Sequence, residues 1–202
     1  MQRVMVFIDF ENFNIALMTY YKRLGLPTAR LDYNVLPQKL VERLPGEKNI
    51  LVKTFLFAPK PDAFLMQDPR RKATYDWVNG LKNQKYFTVI EGNHLARPVN
   101  GLEFTDMDIN QPETFFVVEK GTDVNMAAHV ITKGFLHAYD IAILVTGDSD
   151  YIPILDILNT IGKTTVSVGV RGQNLSRLRE HSDDVMIIDD VFFDSCIRPL
   201  KV

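Results

Sequence analysis

The sequence lacks disulfide-forming cysteine pairs, long apolar runs and a signal peptide. It contains a single cysteine, Cys196, which excludes an intrachain disulfide and fits a reducing compartment. No apolar run approaches the ~20 residues that a membrane-spanning helix needs. Residues 1–10 lack the long apolar stretch of a signal peptide, because Asp9 interrupts them. We therefore expect a cytoplasmic protein with no membrane partner and a single globular domain over residues 1–202.

An excess of positive charge is also missing. The 202 residues include 23 Lys and Arg against 25 Asp and Glu, which gives a formal net charge of -2. This balance excludes a uniformly basic surface that would hold nucleic acid by charge alone. It does not exclude a local basic groove.

Short apolar runs alternate with longer amphipathic segments along the chain. The apolar runs predict strands over residues 4–8, 50–57, 86–90, 141–145, 165–170 and 185–188. The amphipathic segments predict helices over residues 11–24, 37–44, 62–80, 122–136, 149–161 and 174–179. Together they predict an α/β fold with a mostly parallel central sheet that helices cover on both faces.

Residues 91–113 interrupt this regularity, because they contain two glycines and two prolines and show no helical period. They predict a β-hairpin excursion near residues 91–118, with arms near 94–97 and 114–118. Such an excursion could serve as a dimer arm, which would make the protein a homo-oligomer, or as a substrate flap or a lid.

Carboxylates recur where predicted strands end or helices begin, at Asp9, Asp123, Asp148 and Asp150. Taken singly, each is explained by helix capping, which contributes ~0.5–2 kcal/mol. One helix needs one cap, however, and Ser149 could supply it, so Asp148 and Asp150 are surplus. If the strand over 4–8 neighbours the strand over 141–145, these acids share one crevice. Clustered carboxylates repel one another, and Mg²⁺ or Mn²⁺ would relieve that repulsion.

Three stretches of the sequence resemble the signature stretches of NYN domains, and most closely those of the bacterial LabA-like branch. They are Phe7-Ile8-Asp9-Phe10-Glu11-Asn12, Glu119-Lys120-Gly121-Thr122-Asp123-Val124 and Val145-Thr146-Gly147-Asp148-Ser149-Asp150-Tyr151. The resemblance implies a PIN-like, Rossmann-like three-layer α/β/α sandwich. It also implies a metal-dependent ribonuclease, with an endoribonuclease as the expected type and RNA as the partner.

Carried over by position, the resemblance implies that Asp9, Asp123, Asp148 and Asp150 are metal ligands and catalytic residues. It makes Asn12 a catalytic residue that orients a ligand or a metal-bound water, and Lys120 a phosphate-binding residue. One position departs from the pattern: similar proteins often place a second Asp six residues after the helix-start Asp, where this chain has His129. A histidine there could still contact Mn²⁺ or a phosphate, but a single helical histidine is more often a packed or exposed residue than a ligand.

Further substrate-binding candidates lie near the carboxyl edge of the predicted sheet, where a ligand is expected to bind. Arg171 follows a predicted strand, and Ser149 lies between two of the acids. Lys60 and the run over residues 70–72 are other basic candidates, although a solvated helix face is the preferred explanation of the run. Three aromatic residues could stack on an RNA base, although core packing is the commoner role; they are Phe10, Tyr75 and Tyr151.

Other functions remain to be weighed against a nuclease. A haloacid-dehalogenase-type phosphatase would need a second Asp where Glu11 stands, and a Toprim-like site would need a Glu in place of Asp9. The stronger alternative is an RNA-binding or protein-interaction regulatory module on the same fold, with weak or no catalysis. The acidic balance and His129 favour that alternative.

Overall fold

The protein is built around a seven-stranded sheet in the computed structural model, which describes residues 1–25, 31–46 and 48–196. The strands are β1 (Gln2–Asp9), β2 (Asn49–Pro61), β3 (Phe87–Pro98), β4 (Phe115–Lys120), β5 (Ile141–Val145), β6 (Thr164–Val170) and β7 (Asp184–Ile188). They lie in the order β4-β3-β2-β1-β5-β6-β7. Every neighbouring pair is parallel except β3 and β4. The predicted α/β fold with a mostly parallel sheet is confirmed.

Seven α-helices connect or flank the strands within the described residues. They are α1 (Phe10–Leu24), α2 (Leu36–Glu42), α3 (Pro69–Gly80), α4 (Thr122–Phe135), α5 (Ile152–Thr160), α6 (Ser176–His181) and α7 (Asp190–Asp194). Helix α1 begins where Asp9 accepts a hydrogen bond from the backbone N–H of Asn12, and it ends at Gly25, whose φ of 66° suits glycine. None of the described helices combines the length and the apolar character needed to cross a membrane.

The side chains of β1 divide between two hydrophobic clusters. Val4, Val6 and Ile8 join a cluster that includes the apolar face of α1. Met5 and Phe7 join a second cluster, which contains residues of α4 and α5. Since successive side chains of a strand point to opposite faces, helices cover both faces of β1. This double burial explains why the strand is apolar throughout its centre.

Strands β1 and β5 are neighbours, as the argument from the acid positions requires. Residues 4–8 of β1 pair in parallel with residues 141–145 of β5, and β2 pairs with the other side of β1. The strands that follow β1 in sequence, β2 to β4, therefore lie on one side of it, and β5 to β7 lie on the other side. In parallel sheets this change of direction opens a crevice at the carboxyl ends of the strands.

The predicted hairpin is confirmed, but the strands that carry it are longer than predicted. Residues 93–98 of β3 pair antiparallel with residues 115–120 of β4. Strand β2 continues past its predicted end at Phe57 as far as Pro61, because residues 58–61 pair with residues 91–94 of β3. Asp9, the last residue of β1, pairs with Phe57. The outer strands therefore extend beyond β1 at the carboxyl edge.

Two of the helices also differ from the prediction. The helix expected over residues 62–80 begins only at Pro69, where Asp68 caps it by accepting a hydrogen bond from the N–H of Arg70. Asp62 instead accepts hydrogen bonds from the backbone N–H groups of Leu65 and Ala96, which ties this segment to β3. Helix α7 was not predicted.

Candidate functional site

Asp9 lies at the centre of the carboxyl edge, at the end of β1, and is only 5% exposed. Its Oδ1 accepts a hydrogen bond from the backbone N–H of Asn12 at 3.2 Å, and its Oδ2 accepts one from Oγ1 of Thr146 at 3.2 Å. Burial raises the pKa of Asp9 to about 6, and the nearby charges of Asp123 and Asp148 add to that rise. The hydrogen bonds oppose it. The surroundings of Asp9 therefore disfavour the ionised form of its carboxyl group.

Asp123 reaches the same edge on the first turn of α4. Strand β4 pairs antiparallel with residues 93–98 of β3, which extend beyond the end of β1, so β4 runs back towards the carboxyl edge. Helix α4 starts there after a turn at Gly121 with φ of 88°. The hydroxyl of Tyr151 donates a hydrogen bond to Oδ1 of Asp123 at 2.7 Å. Partial burial raises the pKa of Asp123, and the carboxylates of Glu119, Asp148 and Asp150 raise it further, while the Tyr151 hydrogen bond lowers it.

Asp148 and Asp150 follow β5. Oδ1 of Asp148 accepts a hydrogen bond from the backbone N–H of Asp150 at 2.9 Å, so Asp148 caps the short 3-10 turn over residues 149–151. The expectation that Ser149 supplies the cap is wrong. Oγ of Ser149 instead accepts a hydrogen bond from Nη1 of Arg177 at 3.2 Å. Asp148 is half-buried, whereas Asp150 is exposed to solvent.

Asn12 fixes the loop after β5 in place. Its Oδ1 accepts a hydrogen bond from the backbone N–H of Gly147 at 2.8 Å and a longer one from Nε2 of Gln173 at 3.4 Å. Oε1 of Gln173 accepts a hydrogen bond from the N–H of Val170 at 2.7 Å, which ties the loop to the end of β6. Thr146, which donates to Asp9, is 1% exposed. The sequence did not single out Thr146 or Gln173.

The structure brings Asp9, Asp123 and Asp148 close enough for each of the other two to act on the pKa of Asp9, and Asp150 acts on that of Asp123. In the described parts of the chain, however, no three His, Cys, Asp or Glu side chains are placed to hold one metal ion together. One oxygen of Asp123 and one of Asp148 are held by protein hydrogen bonds. The donor set is made of carboxylate oxygens, which suits Mg²⁺ or Mn²⁺ better than softer metals.

Basic side chains lie beside this crevice, and two of them were not expected. A cavity of about 260 Å³ next to the crevice is lined in part by Asn12, Arg23, Arg171 and Gln173. Arg171 also forms an ion pair with Asp189 at 3.3 Å. The guanidinium of Arg23 lies against Gly172, where a Cβ atom would come within 2.5 Å of Nη1. Arg177, bonded to Ser149, is the second unexpected cation.

The remaining predicted positions, Lys120 and His129, form no hydrogen bond with the four acids in the described residues. Lys120 is exposed at the end of β4. His129 packs against the rings of Phe55 and Phe57 at centroid distances of 5.7 and 5.8 Å, and its Nδ1 lies 2.9 Å from Nζ of Lys133. Burial lowers the pKa of His129, and Lys133 lowers it further. No hydrogen bond joins His129 to a carboxylate of any described residue, and six helical residues place it ~9 Å along α4 from Asp123.

Comparisons with known proteins agree with this architecture. The sequence pattern of the NYN domain matches residues 3–189. A solved structure from Vibrio parahaemolyticus, described as a protein of unknown function, superposes with a TM-score of 0.57 at 17% identity, covering 98% of this chain and 96% of that one. At this identity the likeness shows the fold alone. No curated protein matches the chain. The domain pattern spans most of the sequence, and the chain belongs to the NYN domain family.

Proposed function

We propose that the protein is a metal-dependent ribonuclease that hydrolyses RNA phosphodiester bonds at the carboxyl edge of the sheet. The observation that supports this most is a nearly fully buried carboxylate, Asp9, placed beside Asp123 and Asp148 where β1 and β5 meet. NYN domains belong to the PIN-like nuclease superfamily, which suggests the same activity. The proposal includes a three-layer, PIN-like arrangement of a single domain, membership of the LabA-like branch and a cytoplasmic location.

Asp9, Asp123, Asp148 and Asp150 are the proposed ligands of Mg²⁺ or Mn²⁺. Because no three of them are placed around one point in the described residues, binding would require their side chains to rotate towards the ion. No described group donates a hydrogen bond to Oδ2 of Asp123 or to the side chain of Asp150, so these oxygens are open to a ligand. When bound, the metal would lower the pKa of a water molecule and offset charge on the scissile phosphate. A cation would also offset the mutual repulsion that raises the pKa of Asp9.

The other polar residues of the site would position these carboxylates. Thr146 and the backbone of Asn12 each donate a hydrogen bond to Asp9, and the side chain of Asn12 holds Gly147, which precedes Asp148. Tyr151 holds Asp123 from the core side. Hydrogen bonds of this kind orient metal-ligating side chains, and their loss commonly weakens metal binding about 10- to 100-fold.

Cationic side chains at the rim would hold the RNA phosphates. The carboxylates alone repel a polyanion, so binding must draw on positive charge nearby. Arg171 and Arg23 line a cavity next to Asn12, and Arg177 reaches Ser149. Lys120 is exposed at the end of β4, three residues before Asp123. These residues, with Ser149, are the proposed substrate-binding set.

The test is Mn²⁺-dependent cleavage of end-labelled RNA, both single-stranded and structured, with a DNA strand alongside. We expect wild type to cleave and Asp148→Asn to lose about 100-fold or more of that activity, since it removes a charged metal ligand. The matched control is Asp156→Asn, an exposed acid on α5 that pairs with His181. The sizes of the labelled products separate internal from terminal cleavage.

Two results would overturn the nuclease proposal. If neither wild type nor Asp148→Asn cleaves RNA in Mn²⁺ or Mg²⁺ but both bind it, the protein is an RNA-binding module on a nuclease fold. If it neither cleaves nor binds RNA, a protein-interaction module becomes the better explanation. Equal loss of activity in Asp148→Asn and Asp156→Asn would also contradict the assigned site.

A further inference from the structure

A second cavity of about 260 Å³ opens on the other side of the α1 start, between α1 and α3 and beside the end of β2 and the middle of β3. Phe10 and Glu11, the two residues that follow Asp9, line it. Small-molecule sites have volumes that begin near ~300 Å³, so a cavity of this size suits one flat, compact group. The proposed function leaves this cavity without a role.

The cavity combines an apolar interior with a polar rim. Ala58, Val78 and Val89 are buried residues that also belong to the hydrophobic cluster around α1. Phe10 is 8% exposed, and its ring packs against the rings of Tyr33 and Trp77, which fix its orientation. An apolar pocket with a few fixed polar groups is typical of a site for a flat heterocycle.

Two of the charged groups in this cavity remain free to bind a ligand. Oε2 of Glu11 lies 3.1 Å from Nε2 of His94, and no described group forms a hydrogen bond or ion pair with Oε1. The guanidinium of Arg70 forms no ion pair or hydrogen bond with any described residue. Glu91, by contrast, is already engaged, since Lys82 and Tyr75 both donate to its Oε1.

A carboxylate and a guanidinium that line one cavity complement guanine better than the other bases. Guanine presents two neighbouring N–H donors, N1 and N2, to a carboxylate, and two neighbouring acceptors, O6 and N7, to an arginine fork. Adenine offers a donor beside an acceptor on both of these edges, so it matches neither group fully. Cytosine can donate to the carboxylate from N4 but has no O6/N7 pair for the arginine.

We infer that this cavity binds a guanine base of the RNA strand, with Glu11 reading the N1 and N2 donors and Arg70 reading O6 and N7. The inference rests on the proposed function for the identity of the strand. Glu11 lies two residues after Asp9 on the first turn of α1. A base held there belongs to a nucleotide close to the phosphate at the carboxylates, so the site sets a sequence preference for cleavage.

The first experiment measures binding without metal, by calorimetric titration of the full chain with GMP, AMP, CMP and UMP in EDTA. We expect GMP to bind at least about 10-fold more tightly than the others, as a matched carboxylate and arginine fork predict. Glu11→Gln should lose about 10-fold in GMP affinity. Lys72→Ala changes a cation that lies on α3 with Arg70 and pairs with Asp76; it is the control variant and should bind GMP as wild type does.

Modified nucleotides assign the contacts individually. IMP lacks the N2 amine and should bind wild type several-fold more weakly than GMP, and this difference should shrink in Glu11→Gln. The 7-deaza analogue of GMP lacks N7 and should bind wild type more weakly than GMP. This difference in affinity should shrink in Arg70→Ala. Equal affinity for all four natural nucleotides, no GMP binding, or unchanged discrimination in both variants would overturn the inference. Circular dichroism checks that each variant is folded.

The second experiment separates the RNA strand from a free nucleotide as the source of guanine. Oligoadenylates with a single guanosine at different positions are cleaved in Mn²⁺, and we expect cuts at a constant offset from that guanosine. If GMP binds but cut positions ignore guanosine, the assignment to the RNA strand is overturned. A protein that cleaves no RNA fails the proposed function, and the metal-free GMP titration still decides whether the cavity reads guanine.

Discussion

The hydroxyl of Tyr151 donates a hydrogen bond of 2.7 Å to Oδ1 of Asp123, which joins the first turn of α4 to the loop after β5. Tyr151 is 2% exposed and packs in the hydrophobic cluster with α4 and α5. Burial raises the pKa of its phenol, and Asp9 and Asp123 raise it further. The hydroxyl therefore stays protonated and serves as a fixed donor to the carboxylate.

Tyr151→Phe is expected to weaken Mn²⁺ binding and cleavage about 10- to 100-fold, because it removes the group that orients Asp123. Calorimetric titration with Mn²⁺ and initial cleavage rates measure the effect. Tyr139→Phe is the matched control, since its hydroxyl donates to the carbonyl of Val130 at 2.8 Å without touching an acid. Similar losses of metal affinity in both variants would show that the effect is one of general stability.

Asp9 makes the metal-free protein less stable as the pH rises. Its pKa rises from 3.8 to about 6 on folding, so the folded state holds the proton more tightly than the unfolded chain. The free energy of unfolding falls as the pH rises from about 4 to about 6, and it stays low at higher pH. Asp9→Asn should remove this dependence and be more stable at pH 7.5 by up to about 3 kcal/mol, at about 1.4 kcal/mol for each pKa unit.

Thermal melts in EDTA at pH 4 and pH 7.5 check the Asp9 prediction. The gap between Asp9→Asn and wild type should be small at the lower pH and large at the higher one. Adding Mn²⁺ should narrow the gap at pH 7.5 by stabilising wild type alone. A gap of the same size at both pH values would contradict the assigned cause.

Gly92 allows α4 to begin against β3. A Cβ atom at this position would lie 2.1 Å from Oγ1 and 2.8 Å from the backbone N of Thr122. Gly92→Ala should therefore displace the start of α4 and lower the free energy of unfolding by about 1–3 kcal/mol. It should also reduce cleavage, since Asp123 follows Thr122.

Denaturant unfolding and cleavage rates measure the Gly92 prediction. Gly80→Ala serves as the control, because a Cβ atom there meets nothing within 4 Å. Wild-type stability in Gly92→Ala would mean that the contact relaxes at no cost, and the role given to Gly92 would be wrong.

Arg171 is expected to contribute one phosphate contact. Arg171→Ala should weaken RNA binding and reduce the slope of log affinity against log salt by about 0.7–1. Fluorescence anisotropy with labelled RNA at several salt concentrations gives that slope. Lys48→Ala is the control, since the carbonyl of Lys48 bonds to the N–H of Gln2 at the opposite edge of the sheet. The same slope in Arg171→Ala and wild type would remove Arg171 from the binding set.

Local sequence patterns were sufficient for much of the fold. Apolar runs identified six of the seven described strands, because strands covered on both faces are apolar along their length, and β4 was predicted only as an arm of the hairpin. Strand β3 was predicted as two pieces, over residues 86–90 and 94–97, and the end of β2 was missed because Pro59 and Pro61 are locally typical of a strand end. Their strand pairing comes from residues 91–94, and no local pattern reports such a distant partner.

The acids of the site could be predicted and their positioning residues could not. Asp9 and Asp148 each follow an apolar run, which is visible in the sequence. Gln173 lies 161 residues from Asn12 along the chain, and only the fold brings their side chains together. The hydroxyl of Tyr151 likewise meets Asp123 across 28 residues, so an aromatic residue that reads as core also serves the site.

The position of β4 at the edge of the sheet gives the parts of the crevice unequal local stability. Asp9 ends β1, which has a hydrogen-bonded neighbour on each side, whereas Asp123 depends on β4, an edge strand paired with β3 alone. Edge elements open with less free energy than the centre of a sheet. Fraying of β4 therefore releases Asp123 while Asp9 and Thr146 stay in place, so amide hydrogen exchange should proceed faster in β4 than in β1.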